Sequence, residues 1–318
     1  MAFSNSILDA IGNTPLLSVD DGIIAKCEYL NPSGSIKARM AKYMIERAEA
    51  EGLLKPGDTI VEATSGNTGN AMSMIAAVKG YKMLVLLPRG YSSERMQISK
   101  GFGAEIRFVG HFQVDEALEE AKLIGEQDGF YNPAQFDNEW NVEENRTWLA
   151  QEIVSQLPDD VTIDAVVQGV GTGGTLVGVS QGLRQLHNPE LKAFAMEPTE
   201  SRIIECCLVA DHKIEGIADG FVPTIYERHR HSVDGIVHVT GKAAFDCAHE
   251  MAKEQGLFVG PSSGANLWAA RTVRDQHPEI KTVLTFMCDK AEKYLTLMHK
   301  IEADSQAVGG EMSQKVCA

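Results

Sequence analysis

No stretch of the 318 residues approaches the roughly 18 uninterrupted apolar positions of a membrane-spanning helix. The opening MAFSNSILDA has neither the basic nor the apolar block of a secretory leader. The chain therefore reads as soluble, unexported and cytoplasmic. Basic charge is also scarce: 29 Lys and Arg stand against 44 Asp and Glu, a formal net charge of −15. With no Lys/Arg-rich run interleaved with aromatics, that balance argues against phosphate backbones and anionic lipid surfaces, so neither nucleic acid nor membrane is expected as a partner. The cysteines at 27, 206, 207, 247, 288 and 317 include no C-x-x-C pair, and no His/Cys cluster has zinc spacing. Reduced thiols and no metal site are the expectation. Adjacent Cys206 and Cys207 read as helix residues rather than a strained vicinal disulfide, and His229 and His231 in ERHRHS as a solvated loop. Internal repeats, low-complexity blocks and Pro/Ser linkers are missing as well.

What is present is alternation. Strand-length apolar runs recur at Thr59–Ala63, Lys82–Leu87, Glu105–Val109, Ile163–Gln168, Leu191–Met196, Ile236–Thr240 and Lys281–Phe286. Between them lie helical patterns such as Ile36, Met40, Met44, Ile45 and Ala48, spaced to share one face. Gly52, Gly80 and Gly256 each close such a pattern where a left-handed cap belongs. Strands alternating with helices predict an α/β chain with parallel sheets covered on both faces. The length exceeds the usual single domain and implies two lobes or one large unit.

Four segments carry candidate chemistry. NPSGSIKAR sets Lys37 at the start of a helix, whose partial positive charge disfavours an ammonium and favours an amine able to form a Schiff base. After the Thr59–Ala63 strand comes TSGNTG at 64–69, a loop of hydroxyls, one amide and two glycines at a helix N-terminus, suited to a small anion such as a carboxylate. Its ordinary reading is a helix cap by Thr64 or Ser65. The third segment, GVGTGGT at 169–175, lets backbone N–H groups at Gly171, Gly173 and Gly174 approach a phosphate, with Thr172 and Thr175 adding hydroxyls. It also satisfies G-x-G-x-x-G, and Glu197 ends the next strand where a ribose-binding acid would lie, so a dinucleotide site is an open alternative on these residues. The fourth, VGPSSGAN at 259–266, reads by itself as a capped turn.

Taken in order, NPSGSIKAR, EATSGNTG, QGVGTGGT, EGIADGFVP and VGPSSGAN resemble the cysteine synthase and cystathionine β-synthase family of fold-type II pyridoxal-phosphate enzymes. IGNTPL at 11–16 and LTFMCDKAEKYL at 284–295 extend the resemblance over nearly the whole chain. It implies a two-lobed, tryptophan synthase β-like fold. Residues 40–150 would form a smaller mobile lobe carrying TSGNTG, residues 1–39 with 151–304 the larger cofactor lobe, and 305–318 a disordered tail.

The same resemblance implies pyridoxal 5'-phosphate in Schiff-base linkage to Lys37, its phenolic oxygen bonded by Asn67 and its phosphate held by Gly171, Thr172, Gly173, Gly174 and Thr175. Ser262 would face the pyridine nitrogen, with adjacent Ser263 as the alternative. Thr64, Ser65, Thr68 and Gln135 would bind the amino-acid carboxylate. The implied activity is β-replacement, O-acetylserine plus sulfide giving cysteine, or else serine plus homocysteine. A homodimer, and serine acetyltransferase as a partner, are further implications. A nicotinamide oxidoreductase and a catalytically silent binding protein are the readings outside this class. Three departures bear on substrate choice: Ala38 where the family has Asp, Ala218 and Asp219 where it has Gly-Ala, and Asn145, Trp148 and Leu149 where it often has His and paired Thr.

Overall fold

The computed structural model describes residues 4–111 and 114–300, so the tail expected at 305–318 lies outside the described residues. Among the described residues ten strands form two sheets. β1 (Leu16–Asp20), β2 (Ile23–Lys26), β7 (Ala165–Gly169), β8 (Lys192–Pro198), β9 (Gly235–Val239) and β10 (Val283–Phe286) make a six-stranded sheet in the order β1-β2-β10-β7-β8-β9. Only β1 is antiparallel in it. β3 (Thr59–Ala63), β4 (Lys82–Arg89), β5 (Glu105–His111) and β6 (Phe130–Tyr131) make an all-parallel sheet in the order β5-β4-β3-β6. The helices are α1 (Lys37–Ala50), α2 (Asn67–Lys79), α3 (Ser93–Gly101), α4 (Asp115–Gly125), α5 (Trp140–Glu144), α6 (Ala150–Gln156), α7 (Gly174–Leu186), α8 (Ile203–Cys206), α9 (Thr224–His229), α10 (Gly241–Gln255) and α11 (Pro261–Gln276).

All seven strands expected from the sequence form, with ends moved by one to a few residues, a normal margin at element boundaries. β1, β2 and β6 were not anticipated. β1 and β2 are a hairpin turned by Asp21-Gly22, with Gly22 at φ +66°, and β6 has two residues, too few to show a period.

Alternation along each strand supplies two cores per sheet, because successive side chains leave opposite faces. Ala165 and Val167 of β7 pack with Ala244 and Met251 of α10 and Leu267 and Ala270 of α11, whereas Val166 packs with Leu176 and Leu183 of α7. In the smaller sheet Ile60 faces α1 and α2 through Met44 and Met72, and Val61 faces α4 through Ala117 and Ala121.

α5, a π-helical turn at Asn145–Leu149 and α6 form one continuous helical run seated on α7. Gly174, Gly178 and Gly182 make that approach possible. A Cβ at Gly178 would lie 2.5 Å from the Val142 carbonyl oxygen, and one at Gly182 2.6 Å from that of Arg146. This small-residue stripe at i, i+4, i+8 is legible in GTLVGVSQG.

Glu144, at the end of α5, is buried, and its Oε1 has no hydrogen-bond partner among the described residues. Burial pushes its carboxyl up to about 8. The folded chain then holds a proton that the unfolded chain has already released, so stability falls as pH rises from the ordinary glutamate range through about 8 and levels off above it. Glu144→Gln removes this contribution. The variant is expected to lose less melting temperature than the parent between about pH 5 and pH 8, measured by calorimetry. An unchanged pH slope would show that Glu144 is ionised in the fold.

Candidate active site

Lys37 is the first residue of α1 and lies at the junction of the two sheets. The loop before it is pinned to the segment after β10: Ile36 N donates to the Cys288 carbonyl at 2.8 Å, Lys293 Nζ to Ser33 O at 3.1 Å, and Ser35 bridges Asp289. The Lys37 side chain enters a cavity also lined by Thr64, Ser65, Asn67, Thr68 and Gln135 from the smaller sheet. Gly171, Thr172, Asp219 and Ser262 line it from the larger one. Among the described residues Lys37 has no ion-pair partner. Burial pushes its amine down, against the opposing pull of Cys288, Asp219 and Asp289.

The 64–69 loop is not capped as expected. The N-cap of α2 is Gly66, which offers no side chain, while Thr64 Oγ1 accepts from Gly66 N at 2.9 Å inside the loop. The Thr64 and Ser65 side chains therefore line the cavity instead of closing the helix. Thr68 donates to Gln135 Oε1 at 2.5 Å, and Gln135 Nε2 donates to the Ala63 carbonyl at 2.8 Å, so the two groups reach the cavity as one unit. Gln135 sits beyond β6 and Thr68 in α2, and only the fold brings them together.

α7 begins at Gly174 with Gly173 as N-cap, at φ +86° and without a side-chain cap. Thr172 Oγ1 accepts from Gly174 N at 3.2 Å and from Asn141 Nδ2 at 3.0 Å. Gly171 and Thr172 line the cavity, whereas Gly173, Gly174 and Thr175 form the turn behind them and do not line it. Their glycines are required by packing: a Cβ on Gly171 would lie 2.6 Å from the Gly216 carbonyl oxygen, and one on Gly174 2.1 Å from Asn141 Oδ1.

The segment at 259–266 starts α11, with Gly260 as N-cap and both serines in its first turn. Ser262 lines the cavity, while Ser263 Oγ accepts from Cys288 N at 2.8 Å and does not line it.

Sequence reasoning missed a buried charged frame that ties the two sheets together over the cavity. Arg95 of α3 donates to the Ser65 carbonyl at 3.0 Å and to the Tyr294 hydroxyl, and lies 3.4 Å from Glu215. Asp289 Oδ2 receives the Tyr294 hydroxyl at 2.5 Å and Asn67 Nδ2 at 2.6 Å. Lys293 Nζ donates to Asn67 Oδ1 at 2.8 Å, and burial pushes its amine down to about 8. No local spacing links positions 65, 95, 215 and 289. Cys288 also lines the cavity, and burial pushes its thiol up to about 11, so it stays protonated at neutral pH.

Several readings are corrected. Glu197 is not placed for a ribose: its buried carboxylate accepts from Ile204 N at 2.9 Å and Glu205 N at 3.3 Å, closing the start of α8. ERHRHS is helical, not a loop: α9 runs through His229, a 3-10 turn spans Arg230–Ser232, and His229 meets Glu139 at 3.0 Å. Cys206 ends α8, and Cys207 follows it at φ +58° with both thiols free.

The family-pattern departures differ in where they fall. Ala38 is buried in the apolar core around α1, and Asn145 is buried under α7. Asp219 alone among them lines the cavity.

A family model described as "Pyridoxal-phosphate dependent enzyme" matches residues 7–289. A cysteine synthase of Staphylococcus aureus is 38% identical over 300 residues, covering 92% of this chain and 96% of that protein. The O-ureido-L-serine synthase of Streptomyces lavendulae is 36% identical, covering 93% and 92%. The crystal structure of an O-acetylserine-dependent cystathionine β-synthase from Helicobacter pylori superposes with a TM-score of 0.86 at 33% identity, covering 93% of this chain and 98% of that one.

The cavity's donors suit such a cofactor. It presents a desolvated amine, a helix N-terminus behind glycines that cannot carry a Cβ, and a serine hydroxyl on the opposite helix.

Proposed function

This chain belongs to the pyridoxal-phosphate-dependent enzymes, within the cysteine synthase and cystathionine β-synthase family, and on that premise we propose that it exchanges the β-substituent of O-acetylserine. The observation that carries the reading is the convergence of Lys37, the 64–68 loop and the start of α7 on one cavity.

Pyridoxal phosphate, when bound, supplies a carbonyl that condenses with amines and a conjugated ring that accepts the electron pair left at an α-carbon. Lys37 would hold the cofactor through its amine and, when free, would take the α-proton; burial pushes that amine's basicity down, in the direction that favours the form able to accept a proton. Gly171 and Thr172, which line the cavity at the positive end of α7, would hold the phosphate, with the turn of Gly173, Gly174 and Thr175 behind them directing that helix end at it. Asn67 keeps one Nδ2–H on Asp289 and has a second for the phenolic oxygen. Ser262, which lines the cavity while Ser263 accepts from Cys288 N, would meet the pyridine nitrogen. A neutral hydroxyl there tempers the ring's electron withdrawal, which suits loss of a good leaving group. Thr64, Ser65, Thr68 and Gln135 receive the substrate carboxylate. Sulfide completes the reaction as cysteine synthesis; serine with homocysteine is the second completion, and the likeness to the O-acetylserine-dependent cystathionine β-synthase of Helicobacter pylori supports a cystathionine product with O-acetylserine kept as the donor.

The test is an absorbance spectrum of the reconstituted protein with O-acetylserine in one cuvette and serine in another. A visible cofactor band that shifts with O-acetylserine, with release of acetate, is the expected result. Absence of any such band after reconstitution with pyridoxal phosphate would sink the reading.

A further inference from the structure

Asp219 stands where an apolar residue would leave the cavity wall neutral. It is buried, lines the cavity with Lys37 and Glu215, and accepts from the Tyr91 hydroxyl at 3.2 Å. Beyond it opens a second chamber of about 430 Å³, walled by Tyr91, His212, Lys213, Ala218, Leu297 and Lys300. Glu215 lines both spaces, so the chamber adjoins the Lys37 cavity.

Size and charge both bear on what enters. A hydrosulfide ion needs no chamber of several hundred cubic ångströms, a volume that suits a small organic molecule. A carboxylate on the approach repels an anionic nucleophile and attracts an ammonium. Hydrosulfide gains little from a base; a thiol and an ammonium must each lose a proton, but only the ammonium also carries the positive charge that a carboxylate attracts. An ammonium gains much, because it must shed a proton before it can attack. At the far side, exposed Lys213 and Lys300 offer positive charge to an anionic end.

We propose that Asp219 makes the second substrate an amine: a zwitterion of amino-acid size occupies the outer chamber, its anionic end toward Lys213 and Lys300 and its nitrogen toward Asp219, and the bond formed is C–N. The inference rests on the β-replacement reading and names the nucleophile class for that same site. One proton passes from the ammonium to the Asp219 carboxylate. The freed lone pair bonds to the β-carbon that has lost acetate, the π pair shifts to the α-carbon, and Lys37 returns the proton it took. The product nitrogen remains a secondary ammonium, and Asp219 releases its proton to solvent. Burial, set against His212, Tyr91, Arg95 and Lys37 around it, holds the Asp219 carboxyl above the ordinary range, nearer to the pH at which a base works best.

The experiment gives the holoenzyme O-acetylserine with sulfide and an equimolar mixture of β-alanine and the common L-amino acids other than cysteine, then reads acetate and product masses. N-linked adducts should dominate. Asp219→Ala should lower kcat/KM for the preferred amine by about 100-fold while raising that for sulfide, opposite movements that a merely structural loss would not produce. Calorimetric titration with the preferred amine should show weaker binding to Asp219→Ala and to the Lys213→Ala/Lys300→Ala pair. Release of acetate with cysteine as the only product would overturn this inference and leave β-replacement standing, as would a parallel fall of amine and sulfide turnover in Asp219→Ala. No acetate release would overturn both.

Discussion

Lys37→Ala is expected to fold, to bind pyridoxal phosphate without a covalent link, and to release acetate from O-acetylserine at least about 1,000-fold more slowly than the parent. Two roles disappear with one amine, the link to the cofactor and the transfer of the α-proton, so the loss should appear in kcat as well as in kcat/KM. Stability should not fall with it. The amine has no ion-pair partner among the described residues, and burial opposes its charge, so its removal relieves a desolvation cost. The checks are a visible band that washes out on dialysis, an unchanged melting temperature and single-turnover acetate release. Retention of a dialysis-resistant band would move the cofactor link to another residue. Lys293, which burial also pushes down, would be the first alternative to examine.

How much of this was legible in the sequence depends on distance along the chain. Parallel strands buried on both faces announce themselves as continuous apolar runs, which is why β3, β4, β7 and β8 were found. The Asp21-Gly22 hairpin carried a recognised turn signal but flanks too short to weigh. Within the site, Lys37, the 64–68 loop and the Gly171–Thr172 turn each had a local motif. Arg95, Glu215, Asp289 and Tyr294 had none, because their meaning lies in contacts spanning up to 222 positions. A carboxylate that caps a helix and one that binds a ribose also look alike in one dimension. Glu197 became distinguishable only when its hydrogen bonds to Ile204 and Glu205 could be seen.

The largest expected stability effect lies two residues from the catalytic lysine. Arg39 donates Nε and Nη2 to Glu28 at 2.8 and 2.9 Å, and Nη1 and Nη2 to Glu152 at 2.8 and 2.7 Å, all in the buried interior. Lys26 adds a third cationic contact to Glu152 at 2.6 Å, and Thr14 of the IGNTPL segment donates to Glu28 at 2.6 Å. Two cations balance two anions, which leaves no free positive charge to ionise nearby Glu144 and accords with its raised carboxyl.

Arg39→Met keeps the volume and removes one cation, so Glu28 and Glu152 share only Lys26. Such a broken buried pair costs about 3–5 kcal/mol, a large part of the about 5–15 kcal/mol that holds a domain folded. The defect should depend on pH. Burial alone would raise the Glu152 carboxyl, but hydrogen bonds from Arg39 and Lys26 outweigh it and hold it at about 2. Without Arg39 that carboxyl rises and is protonated more readily in the fold. Urea unfolding should therefore show a smaller loss at mildly acidic than at neutral pH, and Glu28→Gln added to Arg39→Met should recover part of the stability. An equal loss at both pH values, with no recovery, would assign the cost to lost packing against Trp148, whose indole lies 5.2 Å from the guanidinium, and not to unbalanced charge.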